Sequence, residues 1–289
     1  MIHTLQNDWL QVNVSEAGAE LQNIIKNAQN TEYLWQGDAA HWARRSPVLF
    51  PIVGALKDGY FTVEGERYAM GQHGFARDAH FALKERRNNA LTFELASSKE
   101  TLEHYPFDFA LCIQYILKQH SLTICYSVTN TGESVLPFSI GAHPAFNCPL
   151  YPSEKRSDYS LVFEKKEVQK RQLLESGTRT GETRLVLEDE DVLSISDELF
   201  EEDALVFQGL RSKEITLQRK SEPVLTMEFE GFPYFGIWSK SSASPFICLE
   251  PWYGIADHMN HNHVLAEKEG IIALASGDTF ECAFKLTIH

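Results

Sequence analysis

Apolar positions along this chain recur mainly at every second residue. The runs 109–117 and 122–129, rich in β-branched and aromatic residues, flank the polar tetrapeptide 118–121 and predict a β-hairpin. Shorter runs of the same kind stand at 91–95, 159–163, 205–207, 215–217, 224–229, 234–238 and 279–288. Turn signals separate them: Asp58-Gly59, Glu64-Gly65, Thr131-Gly132, Ser176-Gly177, Glu230-Gly231 and Ser276-Gly277. Helical pattern is confined to 99–105, and 191–202 reads as a loop with at most one turn. Many short strands at roughly 8–12-residue spacing predict an all-β sandwich or barrel. No linker, composition break or repeat divides the chain, so 1–289 reads as a single domain built on two large packed sheets.

Composition narrows the partners. Hydrophobic residues make up 43%, enough for a large core, and the formal net charge is −14. An acidic surface disfavours nucleic acid and anionic membrane as partners but leaves a small anionic ligand open, because a local arginine pair can set the sign inside one cleft. No apolar run approaches the roughly 20 residues that span a bilayer. The first fifteen residues lack the features of a secretory signal. Five cysteines, an odd number with no C-x-x-C, signal neither a disulfide framework nor a zinc knuckle. A soluble cytoplasmic protein, monomeric or homodimeric, is the expectation.

Four islands break the alternation. His73 lies in Gly71-Gln72-His73-Gly74-Phe75-Ala76-Arg77-Asp78, and His143 in Gly141-Ala142-His143-Pro144-Ala145-Phe146. Glu250 closes the apolar run Phe246-Ile247-Cys248-Leu249, ahead of Pro251-Trp252. Arg44-Arg45 precedes the apolar stretch 47–54. A carboxylate at the end of an apolar run needs a partner, and an imidazole beside it makes a general acid and base. Each island alone reads equally well as a satisfied polar residue of the core. Together, with Gly and Pro beside each, they suggest strand ends or bulges converging on one cleft. Trp42, Phe75, Phe146, Trp238 and Trp252 offer flat faces for the C–H side of a sugar ring, or simply core.

These segments resemble the aldose 1-epimerase (galactose mutarotase) family, especially its LacX-like branch, over nearly the whole chain. The resemblance lies in the W-x-R-R-x-P-x-L-F-P-I-V-G segment at 42–54, H-G-F-A-R-D at 73–78, G-x-H-P-A-F at 141–146 and L-E-P-W at 249–252. It implies a single large antiparallel β-sandwich that interconverts aldose anomers without cofactor or metal. It implies Glu250 as general base on the anomeric hydroxyl, His143 as general acid on the ring oxygen, and His73 as a stabiliser of charge there. Arg45 would hold sugar hydroxyls. Asp203, in the acidic run 201–203, is the candidate for the family's substrate-binding aspartate.

Alternatives stay open. Arg77 reads either as a surface partner of Asp78 or Glu85, or, with Arg44 and Arg45, as a clamp for a hexose 6-phosphate. The histidines at 258, 261 and 263 read as a polar loop rather than a metal site. A carbohydrate-binding module without catalysis, or an inert sandwich with Trp9 and Trp35 at an interface, are the competing functions.

Overall fold

The computed structural model describes residues 1–196 and 198–289. It is a large antiparallel β-sandwich. Nine strands form the largest sheet, in the order Thr178–Ser194, Tyr159–Glu175, Glu214–Arg219, Glu222–Glu228, Thr279–Ile288, Ser121–Asn130, Phe109–Lys118, Ala90–Ala96 and Ala82–Arg87. The last strand of the chain thus closes the middle of the sheet.

The hairpin predicted from alternation is there. Lys118 pairs with Ser121 across a two-residue turn, with Gln119 at φ 52°. Every second residue of both arms is buried, which is the alternation the sequence displays. The helix Lys99–His104 starts on a Ser98 cap that exchanges hydrogen bonds with Thr101.

A six-stranded sheet carries Leu205–Gln208, Tyr234–Trp238, Phe246–Tyr253, Ile140–Ala142 and Val48–Leu49 in that order, with Ala145–Asn147 also paired to Phe246–Tyr253. Four N-terminal strands between Ile2 and Glu32 form a further sheet. The main hydrophobic cluster joins all of these, from Leu5 through Phe109, Phe138 and Leu249 to Ile288.

One stretch departs from the sequence pattern. Where strand signal is confined to 159–163, the structure has a 17-residue strand, Tyr159–Glu175, paired with a second one, Thr178–Ser194. The inward positions of the first strand include Glu167, Gln169 and Arg171, all buried. Glu167 accepts from the Ser212 N–H and hydroxyl, both at 2.7 Å. Alternation exists there, but polar side chains satisfied from within carry it, so hydropathy misses it. The run 191–202 divides between the end of that second strand and a short turn at Glu198–Phe200; position 197 lies outside the described residues.

Candidate active site

Glu250 sits on Phe246–Tyr253, the strand whose side chains are buried on both faces. On one side this strand pairs with Tyr234–Trp238. On the other it meets a broken strand: Ile140 and Gly141 pair with Tyr253 and Trp252, then Ala145–Asn147 resume pairing opposite Cys248–Phe246. His143-Pro144 occupies the break. Proline has no N–H for the ladder, and its carbonyl accepts from Leu249 N at 3.2 Å instead. That interruption turns the His143 ring toward Glu250, with Nε2 at 3.2 Å from Oε2. Neither Glu250 Oε2 nor His143 Nδ1 has a hydrogen-bond partner among the described residues, although Glu250 is only 1% exposed.

His73 arrives by a different device. Its φ is 67° and that of Gly74 is 71°, and an added Cβ on Gly74 would lie 2.2 Å from the Phe50 carbonyl oxygen. Only glycine allows so close a backbone approach. The turn docks on the 47–54 segment: His73 N donates to Gly54 O at 2.9 Å, and Gly54 N donates to His73 Nδ1 at 3.1 Å. With Nδ1 accepting, the ring's proton belongs on Nε2, which makes neutral His73 a hydrogen-bond donor. The His73 and His143 rings meet edge to face at 5.6 Å.

The walls are aromatic. Trp42 stacks on His143 at 4.8 Å, and Trp238 meets the same ring edge-on at 5.6 Å. Trp35, once an interface candidate, is buried and holds Trp42 in place through an Nε1–H bond to its carbonyl at 2.8 Å. Trp252 lies between two glycines. A Cβ on Gly141 would come within 2.6 Å of its ring, and one on Gly236 within 2.7 Å. Phe146 is fully buried and Phe75 packs against the main cluster, so these two serve the core.

His73, His143, Glu250, Trp42, Trp238 and Trp252 line a cavity of about 300 Å³ with Gln72, Arg77, Asp203 and the segment Ile255-Ala256. Asp203 adopts φ 72° on a loop that Arg171 gathers. The buried Arg171 guanidinium donates to the carbonyls of Asp203 at 2.7 Å and Ala204 at 3.2 Å, and also to that of Glu202. Nothing local in the sequence marks Arg171 for this role.

Arg45 is a correction. It does not line the cavity; its guanidinium donates to the Gln22 carbonyl and side chain at 3.2 and 2.8 Å. Arg44 is held by both carboxylate oxygens of Asp78, at 2.9 and 3.2 Å. Arg77 alone of the three reaches the cavity, bonded to the Gln72 carbonyl at 2.6 Å, with its Nε 3.8 Å from Asp78 Oδ2 and without a hydrogen bond.

Burial sets the protonation of the site. It pushes the Glu250 carboxyl well above the usual range, and the charge of Asp203 pushes it the same way, against a smaller pull from the Trp252 indole. Burial lowers His143 to about 3, with Arg77 and Arg44 adding to the effect. His73 is held well below its ordinary value by burial, then by His143 and the same two arginines. The three histidines of the 258–263 loop diverge: the His258 ring accepts from Asn260 N, His261 lies 3.3 Å from Asp257, and His263 pairs with Asp58 while stacking on Tyr60.

The family model for aldose 1-epimerase matches residues 1–266. The chain belongs to the aldose 1-epimerase family. It is 36% identical to the chromosomal protein LacX of Lactococcus lactis, over 98% of both chains. Among solved structures, a galactose mutarotase related enzyme from Lactobacillus acidophilus superposes with a TM-score of 0.95 at 33% identity, over 100% of this chain and 97% of that one. A galactose mutarotase-like protein from Lactobacillus casei gives 0.94 at 30% identity, over the full length of both. No helix among the described residues is long and apolar enough to cross a membrane.

Proposed function

We propose that this member of the family interconverts the α and β anomers of a free hexose by acid–base ring opening and closure. The observation that carries the reading is the buried Glu250–His143 pair, 3.2 Å apart at the cavity. Glu250 takes the proton of the anomeric hydroxyl while His143 delivers one to the ring oxygen. The ring opens to the aldehyde, the C1–C2 bond rotates, and the reverse transfers close it on the other face. His73 donates from Nε2 to the oxygen where charge develops, and Asp203 and Arg77 hold hydroxyls against the Trp252 face.

The shifts run against the charged forms this division of labour needs, so the working state has to be reached by moving a proton within the pair. In the empty cavity the pair holds one proton, with both groups driven toward their neutral forms. Moving that proton from Glu250 to His143 creates a carboxylate that is an unusually strong base and an imidazolium that is an unusually strong acid. The reaction uses one of each. Positioned acid and base groups contribute about 10²–10⁴-fold.

A free hexose is favoured over a hexose 6-phosphate because two of the three arginines are engaged elsewhere, Arg44 by Asp78 and Arg45 by Gln22. The test follows the optical rotation of freshly dissolved α-galactose and α-glucose with and without protein, beside α-glucose 6-phosphate read by NMR. Acceleration of the free sugars is expected. Acceleration of the phosphate alone would move the substrate to an anion held by Arg77. Saturable sugar binding with no acceleration of any of them would leave a carbohydrate-binding module as the better account.

A further inference from the structure

Cys248 has no part in that chemistry and does not line the cavity, yet its thiol lies beside the Glu250–His143 pair. It stands two residues before Glu250 on one strand, so both side chains point to the same face. The ligand atoms of His143, Cys248 and Glu250 lie within 4.8 Å of one another, and all three side chains are buried. The His143–Glu250 approach of 3.2 Å already matches an edge of a tetrahedral zinc site, since bonds of about 2.0–2.3 Å place neighbouring donors roughly 3.3–3.7 Å apart. The thiol sulfur lies within 4.8 Å of both, so at most roughly 1 Å has to close. Glu250 Oε2, buried, lacks a hydrogen-bond partner among the described residues, so the site holds an acceptor that protein groups leave unanswered.

We infer that His143, Cys248 and Glu250 form a binding site for a thiophilic divalent cation, zinc being the fitting occupant, and that filling it switches off the acid–base pair. The inference rests on the reading of His143 and Glu250 given above. Thiolate, carboxylate and neutral imidazole are each zinc donors, and three of them leave the fourth position to water. Binding releases the thiol proton and the proton shared by the pair, and no electron moves. Thiolate and carboxylate then balance the dication, so the complex is neutral, as suits Cys248, which packs in one cluster with Trp35, Trp42, Trp238 and Phe246. A metal-held Glu250 has its charge committed to the ion and is no longer a strong base, and a metal-held His143 has no acidic proton to transfer, so occupation inhibits.

The experiment titrates metal-free, reduced protein with cobalt(II), and separately with zinc, beside Cys248→Ser and Cys248→Ala variants checked for native near-ultraviolet circular dichroism. The expected result is a thiolate-to-cobalt charge-transfer band saturating at one equivalent in the parent protein, displaced by zinc and absent from both variants. Zinc should abolish mutarotation reversibly by chelator, while the variants keep the metal-free rate and need at least about tenfold more zinc for inhibition, which is 1.4 kcal/mol or more. No band in the parent protein, a band unchanged in the variants, or equal zinc inhibition in all three, as the 258–263 histidines would give, overturns the inference. If the metal-free protein does not accelerate mutarotation, the proposed function fails, while the cobalt band still decides whether the site exists.

Discussion

Two strands of the molecule teach opposite lessons. In Phe109–Lys118, buried and partly exposed residues alternate without a break, and the strand carries no chemistry. In Phe246–Tyr253, seven consecutive residues are buried, and one of them is Glu250. The first is bonded to regular neighbours along its length. The second faces a neighbour broken at His143-Pro144, and the site lies in that break. Regular pairing stabilises the sandwich; the interrupted pairing leaves polar atoms unanswered where a substrate can answer them.

Changes to the two strands should therefore separate cleanly. His143→Gln keeps the shape of the broken segment but cannot deliver a proton, and kcat should fall by about 10²–10⁴-fold with the thermal transition little moved; polarimetry and calorimetry together read this. Ile113→Ala, in the regular strand, removes a fully packed side chain, 1% exposed. It should cost about 2–5 kcal/mol of stability in denaturant titration, with kcat unchanged in the folded protein.

The wall behind the site gives a pH signature. Lys268 is buried, and its ammonium donates to the carbonyl of Ile255, a cavity residue, with Asp257 at 4.0 Å. Burial lowers it to about 8, partly offset by Asp257. Between that value and the unfolded value near 10.5 the unfolded chain binds more protons, so stability attributable to this group rises with pH across the window. The gain is about 3 kcal/mol, and Lys268→Met should flatten that slope in urea titrations at pH 7 to 10. A slope unchanged in the variant would contradict a buried ammonium there.

Gly236→Ala is the finest probe. Its Cβ would meet the Trp252 ring at 2.7 Å, so the ring must tilt at about 1–3 kcal/mol. We expect KM for the sugar to rise roughly tenfold or less while kcat changes less. An unchanged KM would remove Trp252 from the sugar-binding face.

How far all this is legible in the sequence follows the same contrast. The regular strands announce themselves by alternation. The long Tyr159–Ser194 hairpin does not, because buried Glu167, Gln169 and Arg171 carry its inward face. His73, His143 and Glu250 are visible as polar residues set among Gly, Pro and apolar neighbours, and the structure gathers them around one cavity. Arg45 looks equivalent in sequence but finds Gln22, a partner that only the fold brings near. Asp203 reaches the cavity from an acidic run through Arg171, some thirty residues earlier in the chain and without any local mark.

The most direct test of the central claim is a paired measurement on Glu250→Gln: mutarotation by polarimetry and sugar affinity by calorimetry. The amide keeps the shape and cannot take a proton. The account predicts catalysis lost by at least about 10²-fold with affinity within a few-fold of the parent protein. Undiminished mutarotation in that variant would contradict it.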